Sequence, residues 1–194
     1  MTSIKALLRE AASQLESDSP RIDAELLLAF VVQKNSAWLF AHTEDELPET
    51  QRLKFLDLVE RRKSGEPVAH IIGSRGFWTL DLAVTADTLI PRPETELLVE
   101  LAISKCPPDK KIRVLDLGSG TGAIALAIAA EHKNAIVIAV DKSVAALNVA
   151  RANADTNKLP VEIRQSDWFS ALENQKFDLI VSNIGHESPS TSNA

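Results

Sequence analysis

From residue 112 onward the chain alternates between short apolar strands and helices, and nothing else in it limits the fold so tightly. Segments 112–117, 136–140, 161–165 and 177–182 read as strands, and 123–131 and 143–157 read as helices. A strand that reaches the next through a helix pairs with it in parallel, by a right-handed crossover. The expectation is an α/β domain built on a parallel, Rossmann-like sheet. Between the first strand and its helix lies Asp116-Leu117-Gly118-Ser119-Gly120-Thr121-Gly122. Glycines let a backbone turn tightly and approach a ligand, and the helix start offers unpaired N–H donors.

The loop alone leaves two ligand classes open. Gly118-x-Gly120-x-x-Ala123 also fits the dinucleotide fingerprint, which would make the chain a nicotinamide (NAD)-dependent oxidoreductase. Three acidic positions favour another ligand. Asp116, at the end of the first strand, would repel a pyrophosphate but suits a cationic group, reached directly or through water. Asp141 ends the second strand and can accept both hydroxyls of a ribose, although a solvated strand-end carboxylate explains it as well. Asp167-Trp168 follows the third strand and offers an acceptor beside a flat apolar face for adenine; Trp168 on its own reads more simply as core. All of them fall at the carboxyl ends of consecutive strands, where open α/β sheets bind ligands. A ligand with ammonium, ribose and adenine but no phosphate is S-adenosylmethionine. Asn183 ends the fourth strand, and its side chain can orient a substrate amide or amine toward a methyl group.

The first 66 residues carry helical spacing: Ser3 as a cap, Ser19-Pro20 as a second start, a short helix over 35–41, and a fourth from Pro48 to the basic cluster Arg61-Arg62-Lys63. That cluster complements a helix C-terminus. Segment 67–93 reads as a linker with a hairpin around 76–84, leading through Pro91 and Pro93 into a helix over 94–104. Expected boundaries are therefore a helical domain at 1–66, the linker at 67–93, a partial sheet domain at 94–183 and a polar tail at 184–194. His70 reads as a packed histidine, His186 as a solvated one, and Arg92 as either functional or a linker anchor.

Charge narrows the partners. The chain holds 21 Lys+Arg and 27 Asp+Glu, a net −6. Neither half is basic, which argues against direct nucleic-acid binding. The single Cys106 excludes a disulfide framework and a thiolate metal site, and suits a reducing cytoplasm. No apolar run approaches the about 18 residues of a membrane span, so no membrane partner is expected.

The residues resemble the HemK-type protein-(glutamine-N5) methyltransferases, the release factor glutamine methyltransferases. The resemblance covers 1–183 and rests on Asp23-Ala24-Glu25-Leu26-Leu27, Gly65-Glu66-Pro67-Val68-Ala69-His70 and Gly76-Phe77-Trp78. It also rests on Leu89-Ile90-Pro91-Arg92-Pro93-Glu94-Thr95-Glu96, the glycine loop, Ser166-Asp167-Trp168-Phe169 and Val181-Ser182-Asn183. It implies a class I S-adenosylmethionine-dependent methyltransferase fold after a helical domain that helps bind the substrate. The implied activity is methylation of the glutamine of the Gly-Gly-Gln motif in peptide-chain release factors. Gly118–Gly122, Asp141, Trp168 and Asn183 would serve cofactor and substrate.

Beyond Asn183 the chain departs from the family pattern Asn-Pro-Pro-Tyr and continues Ile184-Gly185-His186-Glu187. The expectation is a sheet truncated after its fourth strand, a tail foreign to the fold, and impaired activity. An exposed fourth strand would then invite aggregation or self-association. The alternative is a catalytically dead module that binds cofactor and release factor.

Overall fold

The computed structural model describes residues 2–107 and 109–184, and the chain forms two compact units that part between Gly73 and Ser74. The first is helical: α1 (Ile4–Gln14), α2 (Pro20–Val32), α3 (Ser36–Ala41), α4 (Glu49–Lys63) and α5 (Val68–Ile72). Ser3 and Asn35 cap α1 and α3 with their side-chain oxygens, and Pro20 opens α2 at a position where its missing N–H costs nothing. Ile4, Leu27, Leu28 and Phe55 are wholly buried at the centre of this unit. Arg62 on α4 donates to Asp23 on α2 at 2.8 Å, which explains one member of the basic cluster by packing as well as by dipole. The unit runs to Gly73 rather than to residue 66. Pro67 restarts a helical turn that buries Ile71 in the same core, and Gly73 ends it in the left-handed conformation.

The second unit begins with an antiparallel hairpin, β1 (Ser74–Phe77) and β2 (Leu80–Ala83). A 3-10 turn at Pro93–Thr95 precedes α6 (Glu96–Lys105), so the helix starts two residues later than its sequence suggests, after Pro93 has tightened the first turn. Then follow β3 (Ile112–Leu117), α7 (Ala123–Glu131), β4 (Ala135–Asp141), α8 (Val144–Asn157), β5 (Val161–Gln165) and β6 (Leu179–Ser182). The four strands from β3 on form a parallel sheet in the order β5-β4-β3-β6.

Alternation along the strands divides the core in two. Val114, Val137, Ala139 and Val181 join α7, which is buried on every side, in one cluster; Leu115, Leu117, Ile138 and Val140 face the other way onto Leu172 and Phe177. The fourth strand begins at Leu179 rather than at residue 177. Asp178 takes the Arg113 N–H on its carboxylate at 2.8 Å, so its side chain replaces the ladder acceptor there. Among the described residues β6 has a neighbour only in β3, and Ile180 is about half exposed. The expected tail lies outside the described residues apart from Ile184. No helix among the described residues is long and apolar enough to cross a membrane.

Candidate functional site

Parallel strands bring all their carboxyl ends to one edge, and hydrogen bonds tie those ends together. Gly118 and Ser119 donate their N–H groups to the Val140 carbonyl at 2.8 and 3.0 Å, pulling the glycine loop onto the end of β4. Ser166 donates its N–H to the Asp141 carbonyl at 3.0 Å, joining the end of β5 to β4. Ser182 donates its hydroxyl to the Leu117 carbonyl at 3.0 Å, joining the end of β6 to β3. Three strand spacings, about 14 Å, separate the β5 end from the β6 end. The direction of chain winding reverses between β3 and β6, which is where a crevice opens in such sheets.

The glycine loop needs its glycines. Gly118, Gly120 and Gly122 have φ of 71°, 53° and 80°, the left-handed region that other residues enter at a cost. A Cβ on Gly118 would stand 2.9 Å from Ile184 Cγ1, whereas above Gly120 the space is open to 4 Å. Asp141 is half-buried and fixes the loop: Oδ2 accepts from Gly120 N–H and Oδ1 from Ser143 N–H, both at 2.9 Å. Each oxygen keeps a lone pair for a further donor.

Asp116 sits elsewhere than a ligand-facing reading implies. It is fully buried beneath the loop, where Oδ2 accepts from Ala125 N–H in the first turn of α7 at 3.2 Å. Oδ1 has no partner among the described residues. Burial pushes its carboxyl up to about 7; the Ala125 N–H opposes that rise and the Asp141 charge adds to it. Ser119 and Thr121 are buried too, Ser119 with an unpartnered hydroxyl.

On the far side of Asp141, Asp167 and Trp168 are exposed, and Trp168, at φ 52°, is 59% accessible rather than in the core. Ser166 braces that turn by donating its hydroxyl to the Trp168 carbonyl at 2.7 Å. At the opposite end Asn183 is exposed, and its Nδ2 donates to Thr95 Oγ1 at 2.8 Å. A cavity of about 420 Å³ opens beside it, lined by Arg92, Thr95, Leu97, Leu98 and Leu101 among others. The structure thus brings Asp167, Trp168, Asp141, the glycine loop and Asn183 to one edge, with Asp116 below it.

His70 lies apart, in the helical unit, partly buried with Nε2 unpartnered. His186 lies outside the described residues. No group of three His, Cys, Asp or Glu among the described residues is placed to hold a metal.

Two residues of the site escape sequence reasoning. Asn153, buried on α8, donates to the Thr121 carbonyl at 3.0 Å and makes a reciprocal pair with the Ala83 backbone of β2. Its only signal was a polar residue on the inner face of a helix. Thr95 gave none beyond its place in the Pro-Arg-Pro-Glu-Thr-Glu run.

The open space above Gly120, the lone pairs left on Asp141 and the bare indole of Trp168 together fit an adenosine-bearing ligand.

Comparison with known proteins adds the context. The PrmC N-terminal domain family matches residues 6–73, and the Methyltransferase small domain family matches residues 93–187. The release factor glutamine methyltransferase of Salmonella typhimurium is 51% identical over 178 residues, 91% of this chain and 64% of that protein. Its namesake in Escherichia coli is 49% identical over the same length and covers the same shares. That of Coxiella burnetii is 44% identical over 186 residues, 94% of this chain and 67% of the relative. The chain therefore spans about two-thirds of the length of these relatives.

Proposed function

The chain belongs to the release factor glutamine methyltransferase family, and from that premise we propose that it methylates the side-chain amide nitrogen of the Gly-Gly-Gln glutamine in peptide-chain release factors, with S-adenosylmethionine as donor. One observation carries the reading: Asp141 with the glycine loop, and Asn183, lie toward opposite ends of a single sheet edge, across the point where winding reverses.

Asp141 would accept the ribose hydroxyls, the glycine loop would lie under the amino-acid portion, and Trp168 would cover the adenine, with Asp167 as a nearby acceptor. Bound there, S-adenosylmethionine supplies an electrophilic methyl group on a sulfonium. Everything else the chain contributes is orientation and the exclusion of competing geometry. Asn183 Oδ1 accepts an N–H of the glutamine amide and so turns the nitrogen lone pair toward the methyl carbon. As the nitrogen–carbon bond forms and the carbon–sulfur bond breaks, the nitrogen gives up one proton to solvent. No strong base is required, because a methylated amide nitrogen loses that proton readily.

The helical unit, matched by the PrmC N-terminal domain family, would contribute to gripping the release factor. The test is incubation of the whole chain with a release factor and methyl-labelled S-adenosylmethionine. Label on the Gly-Gly-Gln glutamine, lost when that glutamine is replaced, is expected. Release-factor binding without label would favour a binding module instead, and binding of NAD in preference to S-adenosylmethionine would overturn the cofactor assignment.

A further inference from the structure

In the run Ile90-Pro91-Arg92-Pro93-Glu94-Thr95-Glu96, outside the cofactor site proposed above, two side chains make specific contacts. Glu96 Oε1 accepts the N–H of Trp78, which sits at φ 56° in the turn of the hairpin, at 2.8 Å. Thr95 Oγ1 accepts from Asn183 Nδ2, also at 2.8 Å, across 88 residues of chain. The threonine is itself fixed: its N–H donates to the Arg92 carbonyl at 3.0 Å, closing the 3-10 turn that Pro93 begins.

An asparagine amide has a donor end and an acceptor end on a common axis. Whatever holds one end decides where the other faces. With Nδ2 tied to Thr95, Oδ1 accepts no hydrogen bond among the described residues, and Thr95 and Asn183 both line the same cavity. Turned over, the same side chain would present N–H to N–H and repel an amide nucleophile. We propose that Thr95 is a positioning residue: its hydroxyl holds the donor end of Asn183 so that the acceptor end meets the N–H of the substrate amide. This rests on the reading that Asn183 meets that amide. A rigid, proline-flanked turn beside the end of β6 holds that hydroxyl in place, and with it the Asn183 side chain in the orientation found here.

The experiment compares the whole chain with Thr95→Val, which keeps the shape and removes the hydroxyl, and Thr95→Ser, which restores it. In isotope-labelled protein the side-chain amide signal of Asn183, assigned by its loss in Asn183→Ser, should show faster exchange with water in Thr95→Val and wild-type exchange in Thr95→Ser. S-adenosylmethionine affinity should stay within about two-fold of wild type. Methyl transfer to a Gly-Gly-Gln peptide should fall about ten-fold in kcat for Thr95→Val and recover in Thr95→Ser. An Asn183 signal unchanged by Thr95→Val overturns the proposal, as does a Thr95→Val protein with wild-type kcat. A wild-type chain that never methylates the peptide instead removes the functional premise; the amide signal then still decides whether Thr95 holds Asn183, and the catalytic meaning of that contact falls.

Discussion

Asp116 predicts an inverted pH dependence for the sheet unit. Its carboxyl rises from the ordinary 3.8 to about 7 on folding, chiefly because burial penalises the charge. Between those values the folded chain keeps a proton that the unfolded chain has lost, so stability falls as pH rises, and above about 7 the loss is complete. From pH 5 to pH 8 only the two units below 7 count, which at 1.36 kcal/mol per unit is about 2.7 kcal/mol. Asp116→Asn retains the acceptor for Ala125 N–H and carries no charge to bury. The variant should therefore gain about 2.7 kcal/mol relative to wild type on going from pH 5 to pH 8.

Urea unfolding at several pH values measures this directly. In a Trp38→Phe background the emission comes from Trp78 and Trp168, both in the second unit. Most other titrations cancel in the difference between the two proteins. Curves that stay parallel would refute the burial argument. A wild type that gains on Asp116→Asn as pH rises would mean a carboxylate paired with a cation, the opposite of what the structure shows. Cation binding over the loop should also favour the ionised carboxyl, so S-adenosylmethionine should release protons near pH 7 in wild type and fewer in the variant.

Asn153→Ala should cost about 2 kcal/mol, since it strands the buried Thr121 carbonyl, and should weaken S-adenosylmethionine binding in calorimetry out of proportion to the loss of fold. Gly118→Ala should destabilise the chain by about 1–2 kcal/mol in urea, because a Cβ at φ 71° is strained and presses on Ile184 beside Asn183. Burial, with a smaller contribution from Asp178, raises the Cys106 thiol above its ordinary range, so iodoacetamide should label it slowly at neutral pH and rapidly once the chain unfolds.

What the sequence reveals follows from what each signal depends on. The bounds 123–131 for α7 and 161–165 for β5 could be read directly, because a glycine loop, a polar stop and β-branched runs are local. Asp141, the glycine loop and Asn183 fell at strand ends by the same local logic, and parallel pairing then carried them to one edge. Asp116 was legible in position but not in environment: a strand-end carboxylate looks exposed until α7 closes over it. Trp168, read alone as core but beside Asp167 as a face for adenine, differs from the first of those readings. Indole area predicts burial, yet Ser166 grips the backbone of that turn and leaves the ring outside. Contacts such as Asn153 with Ala83, or Thr95 with Asn183, join residues 70 and 88 apart. No periodicity in one segment encodes a partner that distant.

Those long-range contacts share a geometry. Thr95 holds Asn183, Ser182 holds the Leu117 carbonyl, the loop amides hold Val140 and Asp141, and Ser166 holds Asp141. They form a continuous line along the carboxyl edge, from Asn183 at the end of β6 to Ser166 at the end of β5. Each of these hydrogen bonds is worth about 1 kcal/mol, too little to decide the fold against a core of fully buried Leu115, Leu126 and Leu147. Their value is directional. Methyl transfer in line tolerates little angular error, so a displacement of about 1 Å anywhere along the line can cost as much rate as the loss of a contacting group. Substitutions in these anchors should therefore separate from core substitutions by their signature: orientation and turnover lost out of proportion to the modest shift in the unfolding midpoint.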